Sequence, residues 1–341
     1  MQMETIILNE ERKVSLTAYV QDVGGEFGFS RRPAMLILPG GGYSMCSDRE
    51  ADPVAMPYLK AGYQIFILRY TVKEHGAWPN PLNDYEEAME LIQTRAEEWH
   101  VQKDKIAVAG FSAGGHLAAC AATVARHRPA AAVLVYPAIL KEIVDACQPG
   151  MPYPAEHVSE KTPPCFIVAA RNDSVVPVIN SLKFMEALSE HHITFESSIY
   201  SYGGHGFSTA EEHLVGETVC KRLPRWISDS IQWLEEVLGK FSQNGVGEPL
   251  YPSLMYRDKD EYLSVLCTLG HIRTQGEEVL EILSGLFEKV RGIARERNIE
   301  ENVFCAALKC YTVKELLEMI QVPAEKIQEI DDKLQKIKNQ M

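Results

Sequence analysis

The residues best suited to do chemistry are a serine, an aspartate and a histidine, far apart in this 341-residue chain. Ser112 lies in Gly110-Phe111-Ser112-Ala113-Gly114-Gly115-His116, between a β-branched run at 105–109 and an alanine-rich stretch from Gly115 to Arg126. A Gly-x-Ser-x-Gly between strand and helix is a nucleophile elbow. Small neighbours permit a turn sharp enough to project the hydroxyl above a sheet, at a helix N-terminus that favours negative charge. A hydroxyl is a weak nucleophile at neutral pH, so the elbow requires a histidine base and an orienting carboxylate, in the chain order serine, acid, histidine. Asp173 follows the apolar run 165–170 and His205 follows the last such run, within Gly203-Gly204-His205-Gly206-Phe207. Plainer readings exist: an aspartate ahead of a helix is a frequent N-cap, and a glycine-flanked histidine can be a surface loop residue. His116, on the helix behind the elbow, reads as a packing residue.

An oxyanion hole would combine the Ala113 amide with donors from the loop after an early strand, here Pro39-Gly40-Gly41-Gly42-Tyr43. A phosphate cradle would need a following Lys-Ser/Thr or a Gly-x-Gly-x-x-Gly spacing, and neither is present.

Such a site needs a sheet whose strand ends converge on it. From residue 5 to about 238, β-branched runs alternate with amphipathic stretches, the pattern of crossover connections and a mostly parallel sheet. Residues 5–9 and 14–22 read as an antiparallel edge hairpin. Core strands are expected at 34–38, 64–69, 105–109, 132–136, 165–170 and 195–201, about eight strands in all. Helices are predicted around 51–61, 84–100, 114–127, 178–191 and 226–239, the second opened by Asn83 and Glu86 as a capping box. The expected fold is therefore α/β, a mostly parallel sheet flanked by helices, forming one catalytic domain over 1–240. Residues 241–257, with two glycines and two prolines, read as a linker. Residues 258–341 read as a small all-α domain, with helical periodicity at 259–269, 276–296, 302–309, 313–320 and 324–338. In the last of these Ile327, Ile330, Leu334 and Ile337 form an apolar stripe suited to a bundle interior, with a homo-oligomer seam as the alternative. The segment 312–327 faintly resembles a helix-turn-helix, but its acidity opposes a phosphate backbone.

Composition bounds the partners. With 46% hydrophobic and 24% charged residues the chain is globular. Forty-seven acids against 34 bases give a charge of −13, so neither nucleic acid nor an anionic membrane is an expected partner. No run approaches the roughly 18–20 apolar residues of a membrane span, and Met1 to Glu11 lacks the regions of a signal peptide, so a cytoplasmic location is expected. Eight cysteines without Cys-x-x-Cys or zinc spacing read as reduced and mostly buried.

Seven stretches taken together carry a resemblance: 38–43, 47–51, 68–70, 81–84, 110–116, 173–177 and 204–207. With them, residues 30–238 resemble an α/β-hydrolase of the esterase and lipase branch, most similar to the xylanase-B-like esterases that include acetyl-xylan esterases. The resemblance implies Ser112 as nucleophile, His205 as base, Asp173 as orienting acid, and Ala113 with Gly41 and Gly42 as oxyanion donors. It also implies a serine esterase acting on short acyl esters of carbohydrates such as acetylated xylo-oligosaccharides, with no metal or cofactor. Two departures stand out. Hormone-sensitive-lipase-like esterases have His where this chain has Pro39, which points toward sugar-ester deacetylases, and nothing in the single-domain esterases corresponds to 250–341. The segment between Tyr136 and Cys165, which includes Pro149, Pro152, Pro154, Pro163 and Pro164, is too short for the large apolar cap of a long-chain lipase. Tyr43, Trp78 and Tyr153 are candidates to stack on a sugar, against the alternative of packing. Two other classes compete: a serine peptidase or broad carboxylesterase on the same scaffold, and a non-catalytic assembly protein, against which an intact Ser, Asp and His argue.

Overall fold

The computed structural model describes residues 1–215, 219–250, 256–258 and 260–340. It divides into two compact units, Met1–Leu250 and Tyr251–Met341.

The first unit is built on eight strands: β1 (Gln2–Asn9), β2 (Val14–Val20), β3 (Arg32–Leu38), β4 (Gln64–Arg69), β5 (Val101–Phe111), β6 (Ala131–Val135), β7 (Cys165–Ala170) and β8 (Phe195–Tyr200), in the order β1-β2-β4-β3-β5-β6-β7-β8. β1 and β2 form the edge hairpin, β2 runs antiparallel to β4, and every later pair is parallel. β5 starts four residues before its expected 105, because Val101 still pairs with Arg32 beyond a register shift in β3. β3, β6 and β7 are buried at every position, as continuous apolar runs demand when both sheet faces are covered.

Six helices connect the strands: α1 (Asp52–Lys60), α2 (Asn80–Thr94), α3 (Ala113–Thr123), α4 (Lys141–Cys147), α5 (Ile179–Glu190) and α6 (Arg225–Leu238). Tyr85 and Met89 of α2, Leu117 of α3 and Phe184 of α5 share one core with Leu36, Val108, Leu134 and Ile167. On the opposite face α1 and α6 are joined by the Tyr58 and Ser230 hydroxyls at 2.7 Å, and Trp233 packs on Phe166 with ring centroids 5.6 Å apart.

Helix α2 corrects the predicted capping box. It starts at Asn80 with Pro81 in its first turn, where a missing N–H costs nothing. Glu86 instead accepts from the Arg126 and His127 amides, at 2.5 and 3.2 Å. Asp84, fully buried in α2, accepts from the Thr71 amide at 2.7 Å and from Arg12 Nη2 at 2.8 Å. Asp84→Ala would strand the Thr71 donor and uncouple Arg12, which keeps a quarter of its side chain in water. We expect a loss of about 3 kcal/mol, at the low end for a buried pair because of that residual exposure. Urea unfolding checks this, and a loss under about 1 kcal/mol would contradict it.

The expected linker is corrected at its start. Phe241–Ser242 (β9) and Gly245–Val246 (β10) form a hairpin closed by the two-residue turn Gln243-Asn244, with Ser242 paired to Gly245. Phe241 meets Phe29 edge-on at 4.7 Å, and the Arg32 guanidinium lies 4.7 Å from Phe29 and 5.6 Å from Phe241, fastening the hairpin to the first unit. Residues 251–255 and 259 lie outside the described residues.

The second unit has helices α7 (Leu269–Ile272), α8 (Glu277–Ile282), α9 (Ser284–Glu296), α10 (Glu301–Leu308), α11 (Val313–Met319) and α12 (Ala324–Leu334). The first predicted helix, 259–269, is mostly replaced by irregular chain. There Asn339 Nδ2 donates to the Asp258 and Asp260 carbonyls, at 2.7 and 2.9 Å, and Asp331 accepts from the Val265 amide at 2.8 Å. The predicted helix 276–296 breaks at Leu283 into α8 and α9. A complete capping box, Thr312 with Glu315, opens α11. Ile327 and Leu334 lie in this unit's core, with Ile330 and Ile337 packed against it.

Candidate active site

β5 ends at Phe111 and α3 begins at Ala113, leaving Ser112 alone at the turn with φ 51° and ψ −113°. That backbone is unfavourable for any residue with a Cβ and persists only where neighbours over-determine it. Here the Ser112 amide donates to Val135 at 3.0 Å, and its carbonyl accepts from the His116 and Ala138 amides at 2.9 and 3.2 Å. Gly114 is required by close approach: a Cβ there would lie 2.1 Å from the Leu38 carbonyl oxygen, so the start of α3 rests directly on the end of β3.

The three sequence-nominated side chains meet. Ser112 Oγ is 2.8 Å from His205 Nε2, and His205 Nδ1 is 2.7 Å from Asp173 Oδ2. A carboxylate on Nδ1 fixes the proton there, which leaves the Nε2 lone pair facing the serine hydroxyl. Asp173 does not cap α5, whose N-cap is Val178, but it does hold its own turn. Its Oδ1 accepts from the Val175 and Val176 amides at 2.9 and 2.8 Å, leaving Oδ2 for the imidazole. Asn172, not singled out from the sequence, clamps the histidine loop to the aspartate loop, its Oδ1 accepting from the Gly203 and Gly204 amides at 2.9 and 3.0 Å. Its only sequence signal is its place beside Asp173.

Ser112 and His205 open on a cleft of about 600 Å³, also lined by Gly41 and Gly42. Gly41 has φ +130°, and a Cβ there would lie 2.2 Å from the Met45 carbonyl oxygen, so only glycine fits the turn. Among the described residues the amides of Gly41, Gly42 and Ala113 donate to no protein acceptor. A second residue that sequence reasoning missed is Glu50, buried beside the glycine loop, which accepts from the Gly40 amide at 2.8 Å and the Tyr136 hydroxyl at 2.6 Å.

The three sugar-stacking candidates are corrected, because none lines this cleft. Tyr43 is only 3% exposed and its hydroxyl is committed to His116 Nδ1 at 2.7 Å. The Tyr153 hydroxyl is held by Lys141 at 2.7 Å and Asp145 at 3.1 Å, and Trp78 packs against the core. The walls combine the apolar Met45, Ile143, Ala146, Cys147, Val175 and Val176 with the polar Ser47, Asp48 and Arg49.

His116 is fully buried and bridges Tyr43 to the Pro152 carbonyl, with Nε2 2.8 Å from that oxygen. Burial pushes its pKa down from 6.5 to about 4, so the folded protein holds it neutral. The unfolded chain binds a proton more readily, so this contribution is complete above pH 6.5 and is lost as pH falls toward 4. Between pH 7 and 5 it amounts to about 2 kcal/mol. Urea midpoints at both pH values should fall further for the wild type than for His116→Gln, and equal falls would contradict the assignment.

The comparisons with known proteins agree with this architecture. The BD-FAE family profile matches residues 28–149, and the prolyl oligopeptidase family profile matches residues 145–240. The endo-1,4-β-xylanase B of Butyrivibrio fibrisolvens is 32% identical over 215 residues, covering 53% of this chain and 33% of that protein. The acetylxylan esterase of Xylanibacter ruminicola is 29% identical over 216 residues, covering 57% and 45%. The chain thus spans less than half the length of these two curated relatives. The crystal structure of an α/β hydrolase enzyme from a Medee basin deep-sea metagenome library matches with a TM-score of 0.65 at 41% identity, covering 70% of this chain and 98% of that one. With that likeness along nearly the whole of a solved relative, and an elbow serine where its strand meets its helix, the chain belongs to the α/β-hydrolase family.

Proposed function

We propose that the first unit is a serine esterase that releases short acyl groups, acetyl above all, from carbohydrates such as acetylated xylo-oligosaccharides. The observation that carries this reading is the hydrogen-bonded chain from Ser112 through His205 to Asp173, opening on a cleft beside three unpartnered amides. Ser112 Oγ attacks the acyl carbonyl while His205 Nε2 takes its proton. The amides of Gly41, Gly42 and Ala113 hold the oxyanion, each contributing about 3 kcal/mol. The tetrahedral intermediate collapses as Nε2 returns the proton to the departing alcohol, and water then deacylates Ser112 by the same route. Asp173 keeps the imidazole in the productive tautomer and stabilises the imidazolium.

The similarity to a protein named acetylxylan esterase supports the acetylated sugar, and the apolar side chains on one part of the cleft wall suit a small acyl group. Five buried cysteines suit a reducing cytoplasm. Among the described residues no helix is long and apolar enough to cross a membrane. The test is acetate release from acetylated xylo-oligosaccharides, beside p-nitrophenyl esters of increasing chain length. We expect acetate release from the sugar and a kcat/KM at least about tenfold higher for acetyl than for octanoyl. A preference for octanoyl would contradict the small acyl group, and no acetate from the sugar would contradict the carbohydrate.

A second reading is favoured by the prolyl oligopeptidase profile, whose match contains both Asp173 and His205. The same groups would then cleave peptide bonds, and faster turnover of aminoacyl p-nitroanilides than of acetyl esters would select it.

A further inference from the structure

We infer that Glu50 is a positioning residue for this hydrolysis, holding the glycine loop in place through the Gly40 amide and steadying protonated His205 with its negative charge. The inference rests on the reading of Ser112 and His205 given above.

Glu50 ends a short 3-10 turn, Asp48–Glu50, and is only 4% exposed. Leaving an ionisable side chain in such a place is costly unless each polar atom is answered. Both oxygens face donors: the Gly40 amide on Oε2 and the Tyr136 hydroxyl on Oε1. Tyr136 itself accepts from the Ser208 amide at 3.0 Å, three residues past His205, and its ring centroid is 4.9 Å from that of His205. One carboxylate therefore ties together the glycine loop, the end of β6 and the histidine loop. A further bond from the Ser208 hydroxyl to the Arg49 carbonyl fastens the turn that carries Glu50 to the same loop.

The connection to the reacting atoms is short. A Cβ on Gly40 would sit 3.0 Å from Ser112 Cβ and 2.7 Å from the Phe111 carbonyl oxygen, so the loop that presents Gly41 and Gly42 abuts the nucleophile. If Gly40 shifts, the two donors beyond it shift with it, and misplacement by about 1 Å can cost a hundredfold in rate.

The electrostatic part follows from reciprocity. Burial raises the Glu50 pKa on balance, and the Tyr136 hydroxyl, the Gly40 amide, cationic His205 and Arg49 oppose that rise by favouring the carboxylate. A cationic His205 that favours ionised Glu50 is favoured by it to the same degree. Around the imidazole stand Asp173 on Nδ1, Ser112 on Nε2, the Tyr136 ring, and Arg49, whose Nη2 would lie 3.6 Å from a Cβ on Gly206. Arg49 opposes the imidazolium that forms as Ser112 loses its proton, and Asp173 and Glu50 support it.

The test measures p-nitrophenyl acetate hydrolysis against pH for the full chain. Glu50→Gln keeps the shape, removes the charge and is expected to lower kcat about tenfold to a hundredfold. KM should stay within about threefold, and the acidic limb of kcat/KM should move down by about half a pH unit or more. Glu50→Asp keeps the charge on a shorter arm, so its kcat falls while its acidic limb stays with the wild type. An unchanged kcat for Glu50→Gln, or a reduced kcat with an unmoved limb, would overturn the inference. Circular dichroism and thermal unfolding establish that each variant folds. Should Glu50→Gln fail to fold, Tyr136→Phe carries the test: it removes one donor from the carboxylate and should lower kcat at least about threefold at unchanged KM, and a wild-type kcat would overturn the inference. Ser112→Ala, run alongside, separates the two failures. If it stays active, the esterase reading is wrong; if it is inactive while Glu50→Gln matches the wild type, only the role of Glu50 is wrong.

Discussion

Ser112→Ala should lower kcat for p-nitrophenyl acetate by about 10⁴-fold or more and leave the protein folded. The substitution removes one oxygen, whose only side-chain partner among the described residues is His205 Nε2, and leaves intact the backbone bonds to Val135, His116 and Ala138 that hold the strained turn. The oxyanion donors and the cleft remain, so a residual acceleration over water of about 10³-fold is expected. KM should change little, because the lost interaction belongs to the bond-making step. A fall of less than about tenfold in a folded variant would place the chemistry elsewhere.

Asp173→Asn should be nearly as severe, about 10³- to 10⁴-fold in kcat, for a reason specific to this geometry. Oδ1 accepts two backbone amides, from Val175 and Val176, so an asparagine must turn its oxygen to that side and its NH₂ toward His205 Nδ1. Nδ1 then becomes an acceptor, the ring proton moves to Nε2, and the base presents a proton instead of a lone pair to Ser112. The turn stays satisfied, so the thermal midpoint should move by only about 2–4 °C. A variant retaining more than about a tenth of wild-type kcat would show that Asp173 does not set the tautomer.

The strands were legible because a doubly covered parallel sheet writes continuous β-branched runs. Gln64–Arg69 and Cys165–Ala170 match their predicted spans, while β5 is longer because pairing with Arg32 extends it. The serine, aspartate and histidine were legible because the elbow needs small residues around one hydroxyl and the partners must follow particular strands. Glu50 and Asn172 were not, since their work is to satisfy backbone amides that only the folded loops bring near, and no local pattern announces that. The aromatic candidates failed for the opposite reason: Tyr43 and Tyr153 look like binding residues by type, but their hydroxyls are committed within the protein. The capping box at Asn83 failed because Asp84 is drawn into the interior by Arg12 and Thr71, which moves the start of α2 to Asn80.

The central claim is that Ser112 is the nucleophile, and labelling tests it most directly. A fluorophosphonate ester incubated with the wild-type chain should form one covalent adduct, which peptide mass spectrometry should place on the peptide containing Ser112, with loss of esterase activity in step with labelling. Prior protonation of His205 at low pH should slow that labelling. An adduct on another residue, or inactivation that leaves Ser112 unmodified, would contradict the account.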